Sequence, residues 1–135
     1  MTPLSPRSLK QLQTCDPRLI EIIDEASYHM PCVVLEGHRP EVLQNEAFTK
    51  GSSKVKWPNS EHNKIPSRAV DVTPFPINFS KDPANLRKIY YFIGLVKGIA
   101  QMKGIKIRVG ADFNGNLNFT DDSLEDTPHI ELAEE

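Results

Sequence analysis

The chain has 135 residues, 39% hydrophobic and 25% charged, an ordinary balance for a soluble globular protein and enough length to bury roughly two thirds of the unfolded surface. Its formal charge of -2 lacks the basic excess that a phosphate backbone demands, so nucleic acid is not an expected partner. No run approaches the ~20 apolar residues of a membrane span, and residues 1–10 lack the apolar segment of a signal peptide, so membrane insertion is not expected.

A single domain over residues 1–135 is expected, with 1–14 and 133–135 as peripheral tails. Asp16-Pro17 reads as a helix start, because Asp caps orphan amides and Pro fits the first helical position. Leu19, Ile22, Ile23 and Ala26 then form one apolar face of a helix ending near His29. Val33, Val34 and Leu35 read as a buried strand stopped by Gly37, with His38-Arg39-Pro40 in the loop that follows. Pro40 opens a second helix through Gln44 that closes at Gly51.

Residues 51–67 are rich in Ser, Lys, Asn and Pro and read as a loop that carries His62. Over residues 69–75 the alternation puts Val70 and Val72 on one face of a strand and Ala69, Asp71 and Thr73 on the other. Asp82-Pro83 repeats the helix start, and the longest helix runs from there to Met102. Gly94 and Gly98 on that helix suggest a close approach by another backbone. Ile107 and Val109 belong to a half-exposed strand. A turn-rich loop over residues 112–122 leads to a last strand in which His129 and Glu131 share a face. The order of elements predicts an α+β fold, a small and mainly antiparallel sheet packed with helices. Cys15 and Cys32 are too few for a disulfide framework and are expected to be free thiols.

His62, Asp71 and His129 are candidate Zn²⁺ ligands on the sheet face, since two imidazoles and one carboxylate leave a fourth tetrahedral position for water. Asp126 is then a spare carboxylate for proton transfer; the plainer reading is a solvated acid in an acidic loop. Ser60 and Glu131 are candidates for orienting the ligand-bearing segments. His29 and His38 read as ordinary polar residues. Asp112, Asn114 and Asn116, with acids downstream, resemble the start of a Ca²⁺ loop, although an Asn/Gly-rich turn explains the same residues. The spacing of the three zinc candidates is by itself a common accident.

The wording around them is more specific. Ser60-Glu61-His62 followed by Ala69-Val70-Asp71-Val72, and later Asp126-Thr127-Pro128-His129-Ile130-Glu131-Leu132, resembles the LAS-type zinc peptidases. These include D-alanyl-D-alanine carboxypeptidases, vancomycin-resistance dipeptidases and the L-alanyl-D-glutamate endopeptidases of phages. Gly37-His38-Arg39 with Gln44, and Gly51-Ser52-Ser53-Lys54, resemble further segments of that family. In one respect the sequence departs: eight residues separate His62 from Asp71 where many members have six, and Ile65-Pro66-Ser67 replaces a Gly turn. The Pro66-Ser67-x-Ala69-Val70-Asp71 form is similar to a phage-type variant.

The resemblance implies zinc ligation by His62, Asp71 and His129, a catalytic acid/base at Asp126, and a cation near the metal at Arg39. Arg39 would hold an oxyanion or a substrate carboxylate, with a surface salt bridge as its plainer role. The implied substrate is a peptidoglycan stem peptide, and the implied activity that of an L-alanyl-D-glutamate endopeptidase. The alternatives are a D,D-carboxypeptidase or a zinc-binding domain without turnover. A monomeric phage lysin is expected, made in the cytoplasm of a bacterial host and reaching the wall through a holin.

Overall fold

Two Asp-Pro pairs start the two long helices. The computed structural model describes residues 3–111 and 127–133, with the element order α1 (Pro6–Leu12), α2 (Pro17–His29), β1 (Cys32–Glu36), α3 (Glu41–Lys50), a 3₁₀ turn (Glu61–Asn63), β2 (Ala69–Pro74), α4 (Pro83–Met102), β3 (Ile107–Val109) and β4 (His129–Leu132). Asp16 and Asp82 each accept a bond from the backbone amide two residues on, satisfying donors that the first helical turn leaves orphaned. The four strands form one antiparallel sheet in the order β1-β2-β4-β3, so the expected α+β class holds.

The buried residues of α2 (Leu19, Ile22, Ile23, Ala26) and α4 (Ile89, Phe92, Ile93, Val96, Ala100) pack into one cluster with Val34, Val70, Val72, Val109, Ile130 and Leu132 of the strands. Each fully buried Leu, Ile or Phe contributes about 1.5–3 kcal/mol relative to exposure. Cys15 and Cys32 are free thiols, and burial pushes both up to about 11.

Four expectations change. The expected tail over residues 1–14 is not peripheral in its described part, residues 3–14: Leu12 of α1 is fully buried, Leu4 just before the helix almost so, and Ser8 Oγ accepts the Val34 amide at 3.0 Å. Polar composition hid this helix, whose contribution to the core rests on few side chains. At the other end Ala133 still bonds through its amide to the Lys106 carbonyl, while residues 134–135 lie outside the described residues. β1 is an edge strand with only Val34 fully buried, and α1 takes up part of its exposed edge. Gly94 and Gly98 meet nothing within 4 Å of an added Cβ; they lie beside the buried stripe of α4 and border an open groove with Leu95, Ile99 and Met102.

Where α1 ends, its last turn clamps the end of β1. Gln11 Oε1 accepts the Gly37 amide and Thr14 Oγ1 accepts the His38 amide. A Cβ on Gly37 would collide with Thr14 Oγ1 and the Gln11 carbonyl and touch Cys15 Sγ. One of those atoms is backbone, so no rotamer change relieves the contact. Gly37→Ala is therefore expected to lower unfolding free energy by about 1–3 kcal/mol, read as a lower denaturation midpoint at unchanged m-value.

Candidate metal centre

The strand register builds half of the site. Asp71 on β2 stands opposite His129 on β4, and on its other side opposite Glu36 on β1, where a register shift between Val34 and Glu36 interrupts the ladder. Directly opposed residues project to the same face, so Glu36, Asp71 and His129 form a row across three strands. Val70, Val72, Ile130 and Leu132 alternate with them and are buried on the other face.

The 3₁₀ turn brings the third donor. Ser60 caps it by accepting the His62 amide at 3.1 Å, and the Asn63 side chain returns the contact to the Ser60 amide at 3.0 Å. The His62 carbonyl accepts the Arg39 amide, and Arg68 grips Glu61 through both backbone and side chain. His62 is 2% exposed, and its Nδ1 lies 2.7 Å from the Gly37 carbonyl. Since a carbonyl only accepts, Nδ1 carries a proton there, and Nε2 is the nitrogen turned toward Asp71 Oδ1 at 3.2 Å.

His129 is held in the opposite sense. Its Nε2 lies 2.8 Å from Glu131 Oε1, and its Nδ1 faces the same Asp71 Oδ1 at 3.3 Å. The two imidazoles meet edge to face with centroids 5.2 Å apart. Among the described residues, His62, Asp71 and His129 are the one group of three potential metal ligands, with donor atoms all within 4.8 Å of one another. Around a tetrahedral metal with ~2.0–2.1 Å bonds, neighbouring ligand atoms sit roughly 3.3–3.5 Å apart, so the two distances to Asp71 fit a divalent ion shared by all three. Each imidazole also has its second nitrogen fixed by an oxygen acceptor, the arrangement that orients metal-binding His.

The surrounding charges are paired. Arg108 binds Glu131 Oε2 through Nη2 at 2.6 Å and Nε at 3.2 Å. Arg39 binds Glu36 at 2.6 Å and Gln44 Oε1 at 3.0 Å, and its Nη2 lies 3.9 Å from Asp71 Oδ2. Thus Arg39 stands beside the triad, its side chain 13% exposed and already committed to Glu36. Glu36, the Gly37 carbonyl and Arg108 were not singled out by the sequence; only the register and the fold bring them here. His29 pairs with Glu25 on the surface of α2, away from the triad in the chain's order and partners. The expected sites at Asp126 and at Asp112, Asn114 and Asn116 lie outside the described residues.

Burial opposes charge on His129, but hydrogen bonds to Asp71 and Glu131, with their negative charges, outweigh it and push His129 up to about 9. At Asp71, burial is overcome by hydrogen bonds to His129 and His62, and at Glu131 by contacts with His129 and Arg108, so both acids are held below the usual carboxylate range. Metal-free protein therefore keeps a proton on His129 that a metal must displace. The raised His129 value stabilises the metal-free fold fully below the ordinary 6.5 and is lost as pH climbs through about 9. The depressed carboxylates contribute above their ordinary 3.8 and 4.5, and that contribution is lost as pH falls. Thermal melts in chelator should thus show greatest stability between about pH 4.5 and 6.5 and a decline toward pH 9. A flat profile from 6.5 to 9 would contradict this assignment.

Known proteins resemble the chain along nearly its whole length. The L-alanyl-D-glutamate peptidase of Escherichia phage T5 is 28% identical over 131 residues, covering 93% of this chain and 94% of that protein. The crystal structure of the Serratia marcescens L-Ala D-Glu endopeptidase ChiX superposes with a TM-score of 0.73 over 96% of this chain and 89% of that one; at 24% identity it shows a common fold. The family model described as phage L-alanyl-D-glutamate peptidase matches residues 2–133, and the chain belongs to that family.

Proposed function

We propose that this protein is a zinc-dependent endopeptidase that hydrolyses the L-alanyl-D-glutamate bond of peptidoglycan stem peptides, as a phage or prophage lysin. The observation that carries the reading is the convergence of His62 Nε2, Asp71 Oδ1 and His129 Nδ1 on one sheet face, within a family named for that activity. Two imidazoles, each 3.2–3.3 Å from one carboxylate oxygen, make a donor set that suits Zn²⁺ and would leave one position open. When bound, the ion supplies Lewis acidity, polarising the scissile carbonyl and bringing the pKa of a water in the open position toward ~7.

The chain's own groups supply the rest. Arg39, held by Glu36 and Gln44 beside Asp71, is placed to stabilise negative charge on the carbonyl oxygen or to bind a substrate carboxylate. Asp126, three residues before His129 and joined through buried Thr127 and Pro128 to the start of β4, is the proposed base; it takes a proton from the attacking water and returns it to the leaving amine. Glu131 and the Gly37 carbonyl hold the two imidazoles in the tautomers that ligation needs.

Incubating zinc-loaded protein with purified muropeptides and identifying the new termini by mass spectrometry tests the reading. Cleavage should leave a free L-Ala carboxyl and a D-Glu amine. Release of terminal D-Ala would instead indicate a carboxypeptidase, and bound zinc without cleavage a metal-binding domain. Metal analysis should find one Zn²⁺ per chain, lost in His62→Ala and in His129→Ala; unchanged content in both would remove these ligands. Asp126→Asn should keep zinc and fold while losing ~10²- to 10⁴-fold in turnover. Wild-type turnover in that variant would move the base elsewhere, and zinc loss would make Asp126 a ligand.

A further inference from the structure

Gln44 is the only fully buried residue of α3, a helix whose apolar residues Val42, Leu43 and Phe48 all face solvent. Burying a polar amide is costly unless every donor and acceptor is met. Here they all are. Oε1 accepts from Arg39 Nη1 at 3.0 Å and from Asn63 Nδ2 at 3.1 Å, while Nε2 donates to Ser53 Oγ and to the Val55 carbonyl, both at 2.8 Å. One side chain thus joins three segments that are remote in sequence: the turn bearing Arg39, the 3₁₀ turn bearing His62, and the loop at residues 53–55.

These contacts divide unequally between the two functional groups they reach. His62 has other anchors in Ser60, the Gly37 carbonyl and the Arg39 amide, and Asn63 keeps a second bond, at 2.9 Å, to the Arg39 carbonyl. Among the described residues, the Arg39 guanidinium has two close contacts that fix its plane, Glu36 on Nη2 and Gln44 on Nη1. With Glu36 alone, a single ion pair lets the guanidinium swing about Nη2, whereas two contacts on different nitrogens set its orientation toward Asp71. We propose that Gln44 is a positioning residue that fixes the Arg39 guanidinium toward the metal face and leaves metal binding itself to the other anchors. The inference rests on the proposed role of Arg39 in the peptidase, and deepens it.

Gln44→Met keeps the length and volume while removing both polar ends. Zinc stoichiometry should stay at the wild-type level, and muropeptide turnover should fall roughly 10- to 100-fold, the scale of a misplaced catalytic group. The loss should fall on the same parameter, kcat or KM, that Arg39→Met changes. In the double variant the two losses should not add, because the second substitution removes a group already displaced. Additive losses, or a loss in the other parameter, would overturn the proposal. So would a loss no larger than that of Ile93→Val, a core variant in α4 that serves as the control for lowered stability.

If Gln44→Met does not fold, Gln44→Glu decides. It keeps an acceptor toward Arg39 and Asn63 and weakens only the hold on the 53–55 loop, so turnover should remain within a few-fold of wild type; a loss as large as that of Arg39→Met overturns the proposal. A readout free of activity separates this idea from the functional reading. Guanidinium NMR signals of Arg39 should show slowed rotation in the wild type and in Gln44→Glu, and fast rotation in Gln44→Met. Should the wild type cleave no muropeptide, the proposed function fails, and these signals still support or overturn the positioning role.

Discussion

Asp71 and His129 face each other across an antiparallel ladder, and that register is the constraint on which the molecule turns. A slip of one residue in either strand would send its polar group into the core and its apolar neighbours to the solvent. Val70, Val72, Ile130 and Leu132 forbid the slip, because all four are buried on the far face. The same hydrophobic burial that stabilises the sheet therefore specifies which side chains meet on its other side. Glu36 is drawn into the row by the irregularity in β1, and the carbonyl of the next residue, Gly37, meets His62.

Around this row the charges are arranged in layers. Asp71 and Glu131 flank His129, and each has a cation beyond it, Arg39 at the edge of Asp71 and Arg108 on Glu131. Half-buried carboxylates left without partners would be expensive, so the outer arginines let two acids share one imidazole. The outer pairs keep the two acids in place whether His129 carries its second proton or gives it up. Oxygen acceptors on both imidazoles also remove the rotational freedom that a ligand would otherwise lose on binding.

Much of this fold could be read from local chemistry. Asp16-Pro17 and Asp82-Pro83 announced two helices because capping and a fixed φ act within a few residues, and the alternation about Asp71 and His129 announced two strands. The three donors were recognisable by the wording of two short segments, whereas their convergence depends on pairing between positions 58 residues apart, which no local pattern encodes. Helix α1 escaped notice because its anchoring is by a Ser hydroxyl and a few Leu, among polar neighbours. Glu36, Arg108 and the Gly37 carbonyl escaped for a different reason. Their roles are set by what the fold places opposite them.

Helix α3 is attached to the rest of the protein through one fully buried side chain, with most of its positions exposed. Exposed positions away from caps and networks tolerate substitution with little change in stability, usually within about 0.5 kcal/mol. A helix anchored in this manner can drift in sequence over most of its length while its single interior amide stays. Because the turn bearing Arg39 precedes it and the loop at residues 53–55 follows it, such drift would alter the surface beside the metal face and leave the donor geometry intact.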